Sequence, residues 1–268
     1  MFVPVKDTTG RESRHAPRLD DADTGQHSGH HGECHEAMNT AAGWERYARE
    51  RPEFAVLTDG TTGSAFFASG ERAVEERLHV VRALGYTVGP RALDLGCGMG
   101  RLSLALALHF QEVIGVDHSR TMIGLARTRA IEAQVSNARF FESDGGGLGF
   151  LADECIDFAI SLLVFQHMPT WQLVSSNVTE VARTLVPGGM AWFHFDTRPP
   201  TLLYRAWNAV EPHLPAWVGP ETRRAPLRRY RRAAVALDQL FEQACLAVLS
   251  QRHRCTDVHE YLLRRVTR

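Results

Sequence analysis

One ten-residue run constrains the chain more than any other: Ala92-Leu93-Asp94-Leu95-Gly96-Cys97-Gly98-Met99-Gly100-Arg101. A short apolar segment that meets glycine at alternate positions reads as a buried strand turning sharply into a helix. Glycine has no Cβ, so the backbone there can approach a ligand closely, and the helix that follows opens with unpaired N–H groups. A polar ligand is expected at that turn.

The surrounding sequence alternates short apolar runs with amphipathic stretches. Strands are expected at 91–95, 112–117, 138–142, 156–161 and 188–195, with helices near 100–109, 119–133 and 170–185. Parallel neighbours need a crossover connection, so this alternation implies a parallel, doubly wound sheet. A Pro- and Trp-rich stretch from Pro199 to Pro226 interrupts it. A helix at about 232–249 and closing strands near 247–254 and 260–267 are expected beyond. Upstream, Ala41 to Tyr47 and Glu71 to Leu84 repeat apolar residues at helical spacing. Ser69-Gly70 reads as the start of the second helix, and Asp59-Gly60-Thr61-Thr62-Gly63 as a turn or loop. The division expected is a tail over 1–40 with no apolar period, read as disordered, a helical cap over 41–89, and an α/β domain over 90–268 with an acceptor-binding insertion at about 197–230.

Spacing discriminates between two ligand classes for the glycine turn. The dinucleotide fingerprint G-x-G-x-x-G needs glycine at 101, where this chain has Arg101, and the spacing here is G-x-G-x-G. Asp94 stands just before the turn, where a carboxylate would repel a pyrophosphate but could hold a cationic ammonium, directly or through water. The turn therefore suits S-adenosylmethionine better than NAD. Further along, Glu112-Val113-Ile114-Gly115-Val116-Asp117-His118-Ser119 is a strand ending in a carboxylate, and two carboxylate oxygens can accept both hydroxyls of a ribose. Asp117 could instead cap the next helix, a role Ser119 already fills. Asp144, in Phe140-Phe141-Glu142-Ser143-Asp144 ahead of Gly145-Gly146-Gly147, is a candidate for an adenine amino group or an Asx turn. Met122 could pack on an adenine face or belong to the core.

In this order the motifs resemble class I S-adenosylmethionine-dependent methyltransferases. Leu93 to Gly100 is similar to motif I, Gly115-Val116-Asp117-His118-Ser119 to motif II, Ser143-Asp144 to motif III and Ile156-Asp157-Phe158-Ala159-Ile160-Ser161 to motif IV. Arg183-Thr184-Leu185-Val186-Pro187-Gly188-Gly189 is similar to the entry to strand five. The resemblance implies a Rossmann-like, doubly wound seven-stranded sheet with its last strand antiparallel, carrying the N-terminal helical cap. It also implies S-adenosyl-L-methionine as cofactor and S-adenosyl-L-homocysteine as product. Cofactor contacts are expected from Asp94, Gly96, Cys97, Gly98 and Gly100, from Asp117, His118 and Met122, from Ser143, Asp144 and Gly145, and from Leu162 after strand four. Trp44 and Tyr47 join them because the N-terminal helix in this fold class often lids the cofactor. Leu162 and Leu163 stand where some amino-group enzymes carry an Asn- or Asp-Pro-Pro-Tyr motif, which argues against a nucleic-acid base as acceptor.

The expected function is methyl transfer to the oxygen or nitrogen of a small molecule, for example in natural-product or sugar tailoring. The alternative is a cofactor-binding protein of regulatory or non-methylating function, with an NAD-dependent oxidoreductase a weaker third. A hydroxyl acceptor requires a base. His167, in Val164-Phe165-Gln166-His167-Met168-Pro169, is read as that base or as a group orienting its loop; His194 and Asp196 come next. Phe66, Phe67, Tyr204, Trp207 and Trp217, with Trp44 and Tyr47, could supply aromatic walls or core. Arg198, Arg205, Arg223, Arg224, Arg228, Arg229, Arg231 and Arg232 crowd one stretch, read either as a grip on an anionic acceptor or as a solvated face.

Composition narrows the partners. A net charge of -1 over 268 residues gives no field that would gather nucleic acid or an anionic membrane. No apolar run approaches the ~18 residues of a membrane span, and the first residues are too short and polar for a signal peptide, so a cytoplasmic protein is expected. The five cysteines, Cys34, Cys97, Cys155, Cys245 and Cys255, form no Cys-x-x-Cys pair and read as reduced thiols. His27, His30, His31, Cys34 and His35 have metal-ligand chemistry but no scaffold, so no metal site is expected. Oligomeric state is left open.

Overall fold

The computed structural model describes residues 41–145, 147–199, 201–210, 227–254 and 258–267. The tail with its histidine cluster, and Trp217, Arg223, Arg224 and Cys255, lie outside the described residues. The strands are β1 (Arg91–Leu95), β2 (Glu112–Asp117), β3 (Ala138–Glu142), β4 (Ile156–Ser161), β5 (Leu185–Phe195), β6 (Leu246–Arg254) and β7 (Val258–Arg265). The helices are α1 (41–50), α2 (Pro52–Val56), α3 (Gly63–Ala83), α4 (Arg101–Leu106), α5 (Arg120–Glu132), α6 (Trp171–Thr184), α7 (Leu202–Val210) and α8 (Ala234–Gln243).

The strands form one seven-stranded sheet in the order β3-β2-β1-β4-β5-β7-β6. Strands β1 to β5 run parallel, and β7 lies antiparallel between β5 and β6. This is the doubly wound sheet expected from the sequence, with its last strand reversed. Side chains alternate along a strand, so each central strand feeds two cores. Leu93, Ala159, Ala191 and Phe193 face one, closed by Val174, Val178 and Val181 of α6 and by Leu237 and Phe241 of α8. Ala92, Phe158, Ile160 and Trp192 face the other, closed by Val74, Leu78 and Val81 of α3 and by Leu102 and Leu106 of α4.

Three local expectations differ. Helix α3 starts at Gly63 and runs through Ser69-Gly70, which is no start signal. A Cβ at Gly70 would sit 2.3 Å from the Arg101 carbonyl oxygen, so this glycine lets α3 and α4 approach closely. Helix α2 was not anticipated, although Pro52 in its first turn is a helix-start signal. The helix expected to run to 249 stops at Gln243, because Cys245 takes a φ of 56° and turns the chain into β6. Helices α1 and α2 lie over the strand ends, whereas α3 packs on the sheet itself.

A buried charge cluster fixes α3 to the sheet. Arg77 and Glu260, each 3% exposed, form an ion pair, Trp192 Nε1–H donates to Glu260 Oε2 at 2.9 Å, and Arg77 also donates to the Ala73 carbonyl at 2.7 Å. Removing one member of such a cluster strands the opposite charge without water. Glu260→Ala is expected to lower stability by about 3–5 kcal/mol in urea unfolding. A loss below about 1 kcal/mol would show that the Arg77 charge finds other solvation.

Candidate active site

The strand order reverses between β1 and β4, and the loops that leave their carboxyl ends meet over the gap. In open α/β sheets such a switch point is where ligands bind. In the β1 loop, the Gly96 and Cys97 N–H groups both donate to the Val116 carbonyl, at 2.7 and 3.0 Å, which binds the turn to β2. Gly96 has a φ of +76°, and a Cβ there would lie 2.3 Å from Val164 Cγ2. Glycine at 96 therefore serves both a left-handed backbone and the close approach of the β4 loop.

A cavity of about 220 Å³ opens at this junction, and it brings together most of the residues expected to hold a cofactor: Gly96, Gly98, Asp117, His118, Met122, Asp144, Gly145, Leu162 and Trp44. Asp117 accepts the Gly98 N–H at 2.8 Å and the Ser119 N–H at 2.9 Å, so the carboxylate is fixed against the glycine turn. Among the described residues, no arginine or lysine lines this cavity.

The other expected contacts sit behind the wall. Asp94 is buried, with Oδ2 accepting the Ser103 hydroxyl at 2.6 Å and Oδ1 buried without a hydrogen-bond partner. Burial pushes its carboxyl up to about 6, against the lowering effects of Ser103 and Arg101. Cys97 buries its side chain among Ile123, Ala126, Ala130 and Phe140, and burial raises its thiol pKa. Gly100 is the left-handed N-cap of α4. Ser143 shapes the β3 turn, accepting the Gly145 N–H and donating to the Gly147 carbonyl, both at 3.1 Å. Tyr47 packs into the α1–α2 core beside Phe54.

Helix α1 is held over the cavity by Glu45, which sequence reasoning missed. Its carboxylate accepts the Ser119 hydroxyl at 2.5 Å and the Thr121 hydroxyl, both at the start of α5. Burial tends to raise its pKa, but these hydrogen bonds prevail and hold it at about 2. On the same helix, Trp44 meets the His167 ring edge-on at 5.2 Å. A lone glutamate on an amphipathic helix carries no sequence signal of this role; the donors it needs lie 74 and 76 residues away.

A second cavity, of about 730 Å³, adjoins the first and shares Ala55, Val56, Leu163 and His167 with it. Its remaining walls include Leu203, Tyr204 and Trp207 of α7 and the residues Arg198, Arg228, Arg229 and Arg231. His167 stands between the cavities with both ring nitrogens engaged. Nδ1 lies 2.9 Å from the Arg228 carbonyl, which can only accept, so Nδ1 carries the proton and Nε2 accepts from Gln166 Nε2 at 3.0 Å. Burial lowers its pKa to about 4.

His194 lines neither cavity. It is 4% exposed, burial together with the nearby Arg229 and Arg77 charges lowers its pKa to about 3, and its Nδ1 accepts the Leu163 N–H at 3.0 Å. Leu163 carries a φ of 64°, an uncommon conformation for a residue with a side chain. His194 thus holds the residue that forms the wall between the cavities. Asp196 is fully buried and grips Arg198 through both oxygens, at 2.9 and 2.5 Å, and is not directed at either cavity. Neither Leu163 nor Val56, which lies on α2, carries a sequence signal of its place in this wall.

Comparison with known proteins agrees with this architecture. Residues 92–189 match the family model of a methyltransferase domain. The ubiquinone biosynthesis O-methyltransferase of Paraburkholderia phymatum is 32% identical over 122 residues, covering 45% of this chain and 50% of that protein. The chain spans about half the length of the first curated relatives it matches. The crystal structure of magnesium protoporphyrin IX methyltransferase from Synechocystis PCC 6803 with bound S-adenosylhomocysteine superposes with a TM-score of 0.57 at 21% identity, over 87% of this chain and 99% of that one. The [4+2]-cyclase SpnF superposes with a TM-score of 0.61 at 15% identity, over 86% and 97% of the two chains. The sheet order and the glycine turn agree with that match of residues 92–189 to a methyltransferase domain.

Proposed function

We propose that the protein transfers the methyl group of S-adenosylmethionine to a small molecule held in the larger cavity. The observation that carries this reading is the shared wall of Ala55, Val56, Leu163 and His167 between two cavities of opposite character. The smaller has carboxylates and no cationic side chain among its described lining, which suits a cofactor bearing an ammonium and a sulfonium and disfavours a pyrophosphate. The unpartnered Oδ1 of Asp94, buried behind the glycine turn, is a further acceptor that would reach that ammonium only through a water. Within this reading Asp117 binds the ribose, Asp144 and Gly145 flank the adenine, and Trp44, carried on the α1 that Glu45 secures, excludes water.

When bound, the cofactor supplies an electrophilic methyl group on a sulfonium. The protein's part is then mainly to orient the acceptor in line with it, an effect worth up to about 7–11 kcal/mol in favourable cases. We assign His167 a positioning role. With Nδ1–H committed to the Arg228 carbonyl and Nε2 to Gln166, it has no lone pair left for an acceptor proton. His194 acts through Leu163 in the same way.

The decisive experiment is calorimetry with S-adenosylmethionine, S-adenosylhomocysteine and NAD, followed by an acceptor screen with labelled methyl donor. Binding of NAD without either sulfur compound would overturn the reading; binding of the sulfur compounds with no methylated product from any acceptor would leave a regulatory protein. Asp117→Ala is expected to weaken S-adenosylhomocysteine binding by about 1.5–3 kcal/mol, at least tenfold, as for a lost hydrogen bond to a charged group. Unchanged affinity would remove the ribose assignment.

His167 gives two further readouts. His167→Asn, whose amide can still donate to the Arg228 carbonyl, should keep most of the turnover that His167→Ala loses; a general base would be lost equally in both. The ring is neutral in the folded chain at about pKa 4, against about 6.5 unfolded. Its contribution to stability is therefore whole above pH 6.5 and is lost as pH falls toward 4. Urea midpoints measured across that window should fall less steeply in His167→Asn than in the parent chain.

A further inference from the structure

The larger cavity has a charge pattern that methyl transfer alone does not require. Its described charged lining consists of Arg198, Arg228, Arg229, Arg231 and one acid, Asp59. Arg198 is neutralised from behind by the buried carboxylate of Asp196. Asp59 accepts the Thr61 N–H at 2.9 Å, and the hydrogen bonds from Thr61 keep its carboxyl below the usual range, so it stays ionised. Arg229 and Arg231 have no carboxylate partner among the described residues. Arg231 is instead held by neutral groups: Nη1 donates to the Pro199 carbonyl at 2.9 Å and the guanidinium lies 4.1 Å from the centre of the Tyr204 ring, while Nε is buried without a partner.

The positions of these cations are built rather than incidental. The Tyr204 hydroxyl donates to the Arg229 carbonyl at 3.0 Å and accepts the Arg231 N–H at 3.2 Å, so one side chain of α7 fixes the backbone of both arginines. Tyr230 N–H donates to the Gln166 carbonyl at 2.6 Å, and His167 holds the Arg228 carbonyl, which ties the same segment to the wall beside the smaller cavity. Arg229 lines the larger cavity, and its charge lowers the pKa of both His167 and His194. Apolar surface from Leu203, Leu227 and Trp207 completes the chamber.

We propose that the larger cavity is an oxyanion-binding acceptor site, in which Arg229 and Arg231 hold a carboxylate or phosphate of a molecule whose apolar body lies against Leu203, Leu227 and Trp207. The proposal rests on the methyl-transfer reading for the word acceptor and deepens it by naming the chemical class. A planar guanidinium offers paired donors that match a carboxylate or phosphate, and in a partly desolvated chamber such charge-assisted bonds are stronger than in water. An uncharged analogue of the same shape would leave the guanidiniums without a counter-charge.

The test is calorimetry on the full chain saturated with S-adenosylhomocysteine, using 2-naphthoate, naphthyl phosphate and the uncharged 2-naphthamide as probes. The expected result is at least tenfold tighter binding of either anion than of the amide, weakening between 50 and 500 mM salt, about one and three tenths of a nanometre down to less than half of one in screening length. If both anions bind, the grip is on charge; if one alone does, the shape of its oxyanion is selected within the same site. Arg229→Gln and, separately, Arg231→Gln should reduce the preference to about threefold or less with unchanged S-adenosylhomocysteine affinity, which certifies the fold. Arg205→Gln, exposed on α7 and outside the cavity lining, should leave the preference intact. Equal binding of acid and amide by the parent chain, or absence of binding by all three, overturns the proposal while S-adenosylhomocysteine binding leaves the methyl-transfer reading standing. Failure of S-adenosylhomocysteine to bind would instead strike the cofactor reading.

Discussion

The carboxyl end of the sheet depends on how closely the loops after β1 and β4 approach each other. Gly96 and Val164 meet with no room for a Cβ between them, so the β1 loop can fold back on Val116 while the β4 loop lies across it. That contact carries Leu163 into a left-handed backbone conformation, which costs on the order of 1–3 kcal/mol and persists only if its surroundings fix it. His194 does so through the Leu163 N–H, and the adjacent His167 ties the same loop to Arg228. One steric constraint at Gly96 thus propagates into the wall that separates the two cavities.

The cavities on either side of that wall have opposite electrostatic characters. Asp117 and Asp144 line one, and four arginines with the single acid Asp59 line the other, so the balance of charge differs in sign between them. The overall charge of the chain is close to zero and hides this division entirely. For the two proposed ligands, the same opposition disfavours exchange, because a misplaced cation or anion would meet like charge in a desolvated site, a mismatch costing several kcal/mol. Specificity of this kind needs no additional contacts.

The sheet and the smaller cavity were legible because their signals are local. Strand boundaries follow from apolar runs, and Gly96, Gly98, Asp117 and Asp144 are each fixed by a position next to a strand end. What escaped was set by distant partners. Gly70 looks like a helix start until Arg101 is brought against it, and Glu45 is an ordinary surface acid until α5 presents Ser119 and Thr121. The two histidines were visible as residues but not as partners: His167 engages both ring nitrogens, whereas His194 engages Nδ1 alone and leaves Nε2 buried without a partner. Those partners, Arg228, Gln166 and Leu163, come from three separate stretches of chain.

The fold by itself leaves the reaction open, since a [4+2]-cyclase superposes on this chain better than a methyltransferase does. A sheet with a glycine turn explains why a cofactor is held, not what is done with it. The discriminating feature is the shared wall. A structural or regulatory ligand needs one chamber, whereas group transfer needs two that open onto the same few residues, with the transferred group between them. Ala55 and Val56 on α2, Leu163 on its strained turn and His167 with both nitrogens committed form a boundary that is rigid, largely apolar and thin. Such a boundary suits a reaction that needs alignment and dryness more than proton transfer, which is what the proposed methyl transfer would ask of it.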